Sequence, residues 1–93
     1  MGISELPLNR EAIIKYLEDH YHGKYIMFNN PTGPITWYSG MVNRINVEVD
    51  ADTVEDCTVT LMISGFRVET SVLTFIHNTV RHGYPQRGAT DNG

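Results

Sequence analysis

The sequence predicts a mainly β domain with one N-terminal helix, folded as a small five-stranded open barrel. An amphipathic segment near the start is followed by short apolar stretches separated by turn residues, the pattern of a helix and then several short strands. The longest stretch carries a glycine, Gly40, near its centre. The apolar residues around it otherwise alternate: Trp37, Met41, Ile45 and Val47, with Val42 on the other face.

Gly40 is the residue that predicts a barrel instead of a flat sheet. A glycine inside a strand weakens the strand and usually marks a sharp bend or a close backbone approach. A strand bent at its centre can belong to both halves of a small barrel. An open barrel of this kind leaves two exposed strand edges, which invite pairing with another copy of the chain. Because head-to-tail pairing gives a ring when its rotation closes, we expect a homo-oligomer.

Length and composition limit the chain to one domain with a small core. The 93 residues are 41% apolar, and 7 basic against 11 acidic residues give a formal charge of −4. This charge disfavours a general coat for nucleic acid, although a local basic patch stays open. Cys57 is the only cysteine, so no disulfide forms within the chain, which fits a reducing compartment. No apolar run approaches the roughly 20 residues that cross a bilayer and no signal peptide is visible, so we expect a cytoplasmic protein without a membrane partner.

Residues 9–22 are predicted to form one amphipathic helix after a leader, residues 1–8. Asn9 offers a side-chain oxygen to the free amides of the first turn, and Gly23 can adopt the left-handed conformation that ends a helix. The apolar residues recur at helical spacing: Ile13, Ile14, Leu17 and Tyr21. A helix this short is marginal alone, so it must pack on the rest of the domain.

The five strands are predicted between residues 24 and 77, in a domain that ends at residue 80. Turn residues divide this segment into strands at residues 24–28, 35–49, 58–63 and 66–72. Residues 71–83 also fit a helical face, but their content of Val, Thr and Ile favours a fifth strand around Leu73–Ile76. Residues 81–93 lack periodicity and are expected to form a flexible tail.

The segment Gly40-Met-Val-Asn-Arg-Ile-Asn46 resembles the first motif of the Sm-like family, which includes the Lsm proteins and bacterial Hfq. That motif reads glycine-x-apolar-x-x-apolar-aspartate. Gly40, Val42 and Ile45 match it, and Asn46 stands where the family has aspartate. The family has an N-terminal helix and five strands, with a glycine at the bend of the second, so the resemblance covers about residues 9–77. It implies a small open barrel of the SH3-like or Sm-like type. The chain is similar to diverged, acidic members from phage or environmental sources.

The resemblance implies a ring that binds single-stranded RNA at its pore. It assigns Asn43, Arg44 and Asn46 to the neighbourhood of a nucleotide pocket, where amides read base edges and a guanidinium contacts phosphate or stacks on a base. The Arg-Gly pair of the family's second motif falls on Glu69 and Thr70, and a carboxylate there repels phosphate. Two hypotheses stay open: an RNA-binding ring, and a homo-oligomeric protein-interaction scaffold in which these polar residues are only a solvated strand face.

The other aromatic and polar residues favour a binding protein without a cofactor, a metal or a catalytic centre. Tyr21, Phe28 and Trp37 are expected to seal the helix onto the barrel or to lie in a subunit interface, with base stacking as the alternative. His20 and His22 are two apart on the helix, so they are not expected to share a metal. No phosphate loop or nucleophile motif is present, which argues against an enzyme. The acidic residues after the bent strand miss the EF-hand spacing and are expected to be solvated: Asp50, Asp52, Glu55 and Asp56.

Overall fold

The computed structural model describes residues 2–81, which form two helices and five strands. The helices are α1 (Arg10–Tyr21) and α2 (Val72–His77), and the strands are β1 (Tyr25–Asn29), β2 (Trp37–Glu48), β3 (Thr58–Ile63), β4 (Phe66–Ser71) and β5 (Thr79–Arg81). Short 3-10 turns lie at Ile3–Glu5, in the predicted leader, and at Val54–Asp56. The tail predicted for residues 81–93 lies outside the described residues, except for Arg81 at the end of β5.

The five strands form one antiparallel sheet in the order β4-β3-β2-β1-β5. β4 and β5 are its two outer strands and do not pair with each other, so the sheet is not closed. The predicted composition of an N-terminal helix and five antiparallel strands is confirmed, and α2 is an addition to it. Within residues 2–81, no helix has the length and apolar character needed to cross a membrane.

α1 covers the segment in which the capping residue and the apolar spacing predict a helix. The Oδ1 atom of Asn9 accepts a hydrogen bond from the backbone N–H of Ala12 at 3.0 Å, which satisfies one free amide of the first turn. Ile13, Leu17 and Tyr21 are buried along one side of the helix. That side packs against the sheet, chiefly on β2. The tertiary contact stabilises a helix that would be marginal alone.

β2 changes its pairing partner at its centre. Residues 37–41 pair with β1, and the second half of the strand pairs with β3 from residue 42 onwards. Gly40 is buried at this point with a φ of 150°, and a Cβ added there would overlap the side chain of Ser64 in the turn between β3 and β4. The missing side chain therefore lets the two parts of the sheet approach each other closely.

A β-bulge in the second half of β2 changes which residues face the core. The register with β3 shifts between Asn43 and Asn46, and Arg44 has a positive φ of 54°. Val42 and Ile45 are consequently both buried, although they are three residues apart. Asn43 and Asn46 are both exposed for the same reason.

The alternation that the sequence predicts along β2 is wrong. It expects Trp37 and Met41 on the same face as Ile45 and Val47. The first two are exposed and the last two are buried. The bulge explains the difference, because an extra residue in a strand moves every later side chain to the opposite face.

The segment after β4 is a short helix, so the fifth strand predicted around Leu73–Ile76 is wrong. The Oγ atom of Ser71 accepts a hydrogen bond from the backbone N–H of Thr74 at 3.1 Å and caps α2. Val72 and Phe75 are both buried. Residues three apart share a face in a helix but lie on opposite faces of a strand. The cap and this burial together outweigh the strand preference of Val and Thr.

Aromatic rings join both helices to the sheet. Phe75 of α2 contacts Tyr21 of α1 and Phe28 of β1, with ring centroids 5.0 Å and 5.4 Å apart. All three side chains are buried. The predicted role of Tyr21 and Phe28 in sealing α1 onto the sheet agrees with these contacts. Trp37 does not share that role, because its side chain is 57% exposed.

Replacing Gly40 by alanine is expected to destabilise the fold by about 2–4 kcal/mol, because the new Cβ collides with Ser64 and an L residue rarely adopts this φ. Unfolding in urea measures the loss. Gly2→Ala is the matched control, since a Cβ at Gly2 meets nothing within 4 Å and its φ is −95°. The control is expected to change the stability by less than about 0.5 kcal/mol.

The steric part of this effect can be separated with Ser64→Gly. In the double variant Gly40→Ala, Ser64→Gly, the new Cβ no longer meets the Ser64 side chain, so Gly40→Ala costs less than it does in the original chain. An equal cost in the two backgrounds would contradict the proposed contact.

Candidate functional site

The bulge of β2 brings Asn43 and Asn46 onto the same outer face of the sheet. Asn43 pairs with Met62 and Asn46 pairs with Thr60, and residues two apart in β3 share a face. Arg44 lies inside the bulge and is exposed beside them. The three residues that the resemblance assigns to an RNA pocket therefore lie in β2 itself, and not in the loop that follows it.

Arg10, the first residue of α1, reaches the same face. Its Nη2 atom donates a hydrogen bond to Oδ1 of Asn46, and its Nε atom donates to the carbonyl oxygen of Val47 at 3.1 Å. One lone pair of the Asn46 Oδ1 atom is therefore occupied by a cation, while the NH₂ group of Asn46 has no hydrogen-bond partner among residues 2–81. The pair also ties the start of the helix to the bulged half of β2.

Arg10 is not apparent as a site residue from the sequence, because 36 residues separate it from Asn46. The sequence carries one indication that Arg10 has a partner outside its helix. A cation in the first turn of a helix is disfavoured by the helix dipole, so an arginine at this position indicates a partner elsewhere.

Cross-strand pairing extends the site over β3 and β4. Arg67 of β4 lies in the same cross-strand row as Asn43, and Glu69 lies in the same row as Asn46. Because neighbouring strands are about 4.8 Å apart, Glu69 lies roughly 10 Å from Asn46 across the sheet. We call this exposed surface the bulge face, and it comprises Arg10, Asn43, Arg44, Asn46, Glu48, Arg67 and Glu69. Its three arginines outnumber its two glutamates, although the whole chain has a formal charge of −4.

The acidic loop after β2 uses carboxylates to hold its own backbone. Asp50 accepts two hydrogen bonds from Thr58, one from the backbone N–H at 3.1 Å and one from Oγ1 at 2.7 Å. The hydroxyl of Thr53 donates to Asp56 at 3.0 Å. Within residues 2–81, no group of three or more His, Cys, Asp or Glu side chains is arranged to hold a metal ion. These carboxylates have a structural role in the loop.

The two histidines of the predicted helix have different surroundings. His20 stacks on Tyr16, with ring centroids 4.1 Å apart, and its Nδ1 atom is 2.8 Å from the carbonyl oxygen of Tyr16. His22 lies just beyond the end of α1 and is exposed.

Comparisons of the chain with protein-family models, with curated proteins and with solved structures yield no match. We therefore infer a function from the geometry and chemistry of this chain.

Arg10→Ala is expected to lower the free energy of unfolding by about 0.5–1 kcal/mol, because it removes both hydrogen bonds between α1 and β2. Chemical denaturation measures the change. Lys15→Ala is the control within the same helix. It removes an exposed pair with Asp19 at 3.2 Å and is expected to cost less than about 0.5 kcal/mol. Equal losses would show that Arg10 does not anchor the helix.

Thr58→Val is expected to raise the pKa of the Asp50 carboxyl. The Thr58 hydroxyl beside Asp50 lowers this pKa below its ordinary value of 3.8. A carboxyl whose pKa is lower in the folded chain than in the unfolded chain stabilises the fold. This contribution is complete when the pH is above the unfolded pKa, and it is lost as the pH falls through the folded pKa. Titration of the Asp50 carbon resonances by NMR measures the shift. Thr60→Val, on the same strand, is expected to leave this pKa unchanged, and a similar response to both substitutions would contradict the assignment.

Proposed function

We propose that this chain is a ring-forming, Sm-like binding protein that holds single-stranded RNA on its bulge face. The order of its elements supports the proposal, because an N-terminal helix and five antiparallel strands are what the family resemblance implies. The position of Gly40 within the second strand is also the one that the resemblance implies.

The observation that carries the proposal is the pair of open sheet edges. β4 and β5 each have a strand partner on one side only within residues 2–81. Phe66 of β4 and Val80 of β5 are each 58% exposed. An edge that combines unpaired backbone groups with exposed apolar side chains favours strand addition. Because the two edges belong to different strands, pairing β4 of one copy with β5 of the next is head-to-tail and can close into a ring.

The chemistry of the bulge face supports RNA as the ligand. Arg10 and Arg44 bring two guanidinium groups beside Asn43 and Asn46. Guanidinium groups bind phosphate and stack on bases, and amides read base edges. Arg10 occupies one of the two lone pairs of the Asn46 Oδ1 atom and leaves the NH₂ donors of this amide for a ligand. We expect these donors to bind acceptor atoms, such as a uracil carbonyl oxygen or a phosphate oxygen.

A homo-oligomeric protein-interaction scaffold without RNA is the second candidate. Glu69 favours it, because this exposed carboxylate lies in the same cross-strand row as Asn46 and repels a phosphate. The formal charge of −4 adds to this effect at long range. Both candidates need the same assembly through the β4 and β5 edges.

Light scattering and RNA binding test the two parts of the proposal separately. We expect a mass in solution several times that of the 10.5 kDa chain. We also expect binding of a uridine-rich or adenine-rich oligonucleotide at low salt, weakening as salt rises. Arg44→Ala should reduce the affinity about tenfold, whereas Lys15→Ala, on α1 and outside the bulge face, should not.

The outcomes distinguish the candidates. A monomer contradicts both of them. An oligomer that binds neither oligonucleotide at low salt contradicts RNA binding and supports the scaffold. An oligomer in which Arg44→Ala binds RNA as well as the unchanged chain contradicts the assignment of the bulge face.

A further inference from the structure

An aromatic cleft lies at the other half of β2, on the far side of Gly40 from the bulge. It has a volume of about 160 Å³ and is lined by Ile35, Trp37, Tyr38, Ser39 and Phe66. Two of the lining side chains are large and exposed: Trp37 is 57% exposed and Phe66 is 58% exposed. This volume is close to the roughly 150 Å³ of a cavity that holds one benzene ring. The cleft therefore has room for one large apolar side chain.

The backbone beside the cleft has unused hydrogen-bonding groups. Val42 donates to the carbonyl oxygen of Lys24 at 3.1 Å, and Asn30 donates to that of Thr36 at 2.7 Å. These bonds lie at the two ends of the β1–β2 ladder. In an antiparallel ladder such bonds alternate, so the even-numbered residues of β2 between 36 and 42 direct their N–H and C=O groups towards β1.

Trp37 and Ser39 consequently direct their N–H and C=O groups away from β1, towards the cleft. β3 does not reach them, because its pairing with β2 begins at Val42. One residue before Val42, the carbonyl oxygen of Met41 accepts a hydrogen bond from the backbone N–H of Ser64 at 3.1 Å. Within residues 2–81, no strand pairs with β2 at Trp37 and Ser39 on the side away from β1. A free strand edge thus lies directly beside an apolar cleft.

We infer that this edge and cleft bind an extended peptide segment of another protein. The segment adds as a strand beside Trp37–Ser39 of β2 and inserts one aromatic or large aliphatic side chain between Trp37 and Phe66. Backbone hydrogen bonds supply affinity in this mode of recognition, and the pocket for an alternate side chain supplies specificity. The inference does not depend on RNA binding. It uses the free backbone of β2, whereas the proposed ring uses the backbone edges of β4 and β5, and Phe66 borders both surfaces.

Charge favours a peptide with basic flanks as the occupant. None of the five residues that line the cleft is charged. A polyanion would therefore gain no phosphate contact from the lining, while the formal charge of −4 on the chain repels it at long range. The same field attracts a peptide that carries lysine or arginine on both sides of its apolar residue.

The test uses the full chain and the heptapeptide acetyl-Lys-Thr-Val-Phe-Val-Thr-Lys-amide, with versions in which Leu or Ile replaces the central Phe. Trp37 is the only tryptophan, so its fluorescence reports on the cleft directly. We expect a saturable change in this fluorescence, and a shift of the Ser39 amide resonance in NMR spectra. Phe66→Ala should weaken binding by about tenfold or more, whereas Val49→Ala, at an exposed apolar residue beyond the end of β2, should not.

Backbone methylation separates strand addition from simple apolar contact. N-methyl groups on one alternate set of peptide residues should abolish binding, and N-methyl groups on the other set should not, because a strand directs only alternate N–H groups towards its neighbour. Equal binding by the two methylated peptides would overturn the inference.

Three further results would also overturn it. The first is no binding of any of the three heptapeptides at millimolar concentration. The second is binding that begins only when residues 82–93 are deleted, which would make that segment the occupant. The third is binding that is lost as protein concentration rises, which would make a second copy of the chain the occupant.

Discussion

The close approach of Gly40 to Ser64 is the constraint on which the rest of the structure depends. A Cβ at residue 40 would overlap the Ser64 side chain, so the turn between β3 and β4 can lie against the centre of β2 only when that position is glycine. This contact marks the point where β2 leaves β1 and begins to pair with β3. One strand thereby holds two parts of a sheet together, and the core forms between them and the helices.

The same constraint separates two surfaces with different chemistry. After Gly40, the bulge turns Asn43 and Asn46 outwards together and allows Arg10 to bind one of them. The result is a polar face with an excess of guanidinium groups. Before Gly40, β2 has no neighbour on the side of β3, and its free edge borders an apolar, uncharged cleft. The polar face suits a phosphate-bearing ligand and the cleft suits an extended peptide, so the two proposals concern opposite halves of one strand.

Much of the fold could be predicted because its signals are local. Asn9 and the apolar spacing after it predict α1, and the turn residues divide the rest into strands. The helical content of the segment after β4 could not be predicted from residue preference alone. There, the burial of Phe75 against Tyr21 and Phe28, which are distant in sequence, decides the conformation together with a local cap at Ser71. The bulge was missed for a related reason: Asn43, Arg44 and Ile45 carry no residue type that marks an extra residue in a strand.

The part of the candidate site that is local in sequence could be predicted, and the part formed by packing could not. The family resemblance pointed to Asn43, Arg44 and Asn46, which are neighbours in sequence and lie together on β2. It could not point to Arg10, which joins them only through the packing of α1 on the sheet. It also gave no sign of the aromatic cleft, because Trp37 and Phe66 approach each other only after the turn at Ser64 packs on Gly40.

Amide hydrogen exchange along β2 is the most direct test of the central claim that this strand changes partner at Gly40. The account predicts slow exchange for the N–H groups of Tyr38 and Gly40, which face β1, and fast exchange for those of Trp37 and Ser39, which face the open side. Slow exchange at Ser39, equal to that at Gly40, would mean that a strand already covers this edge. That result would contradict the account.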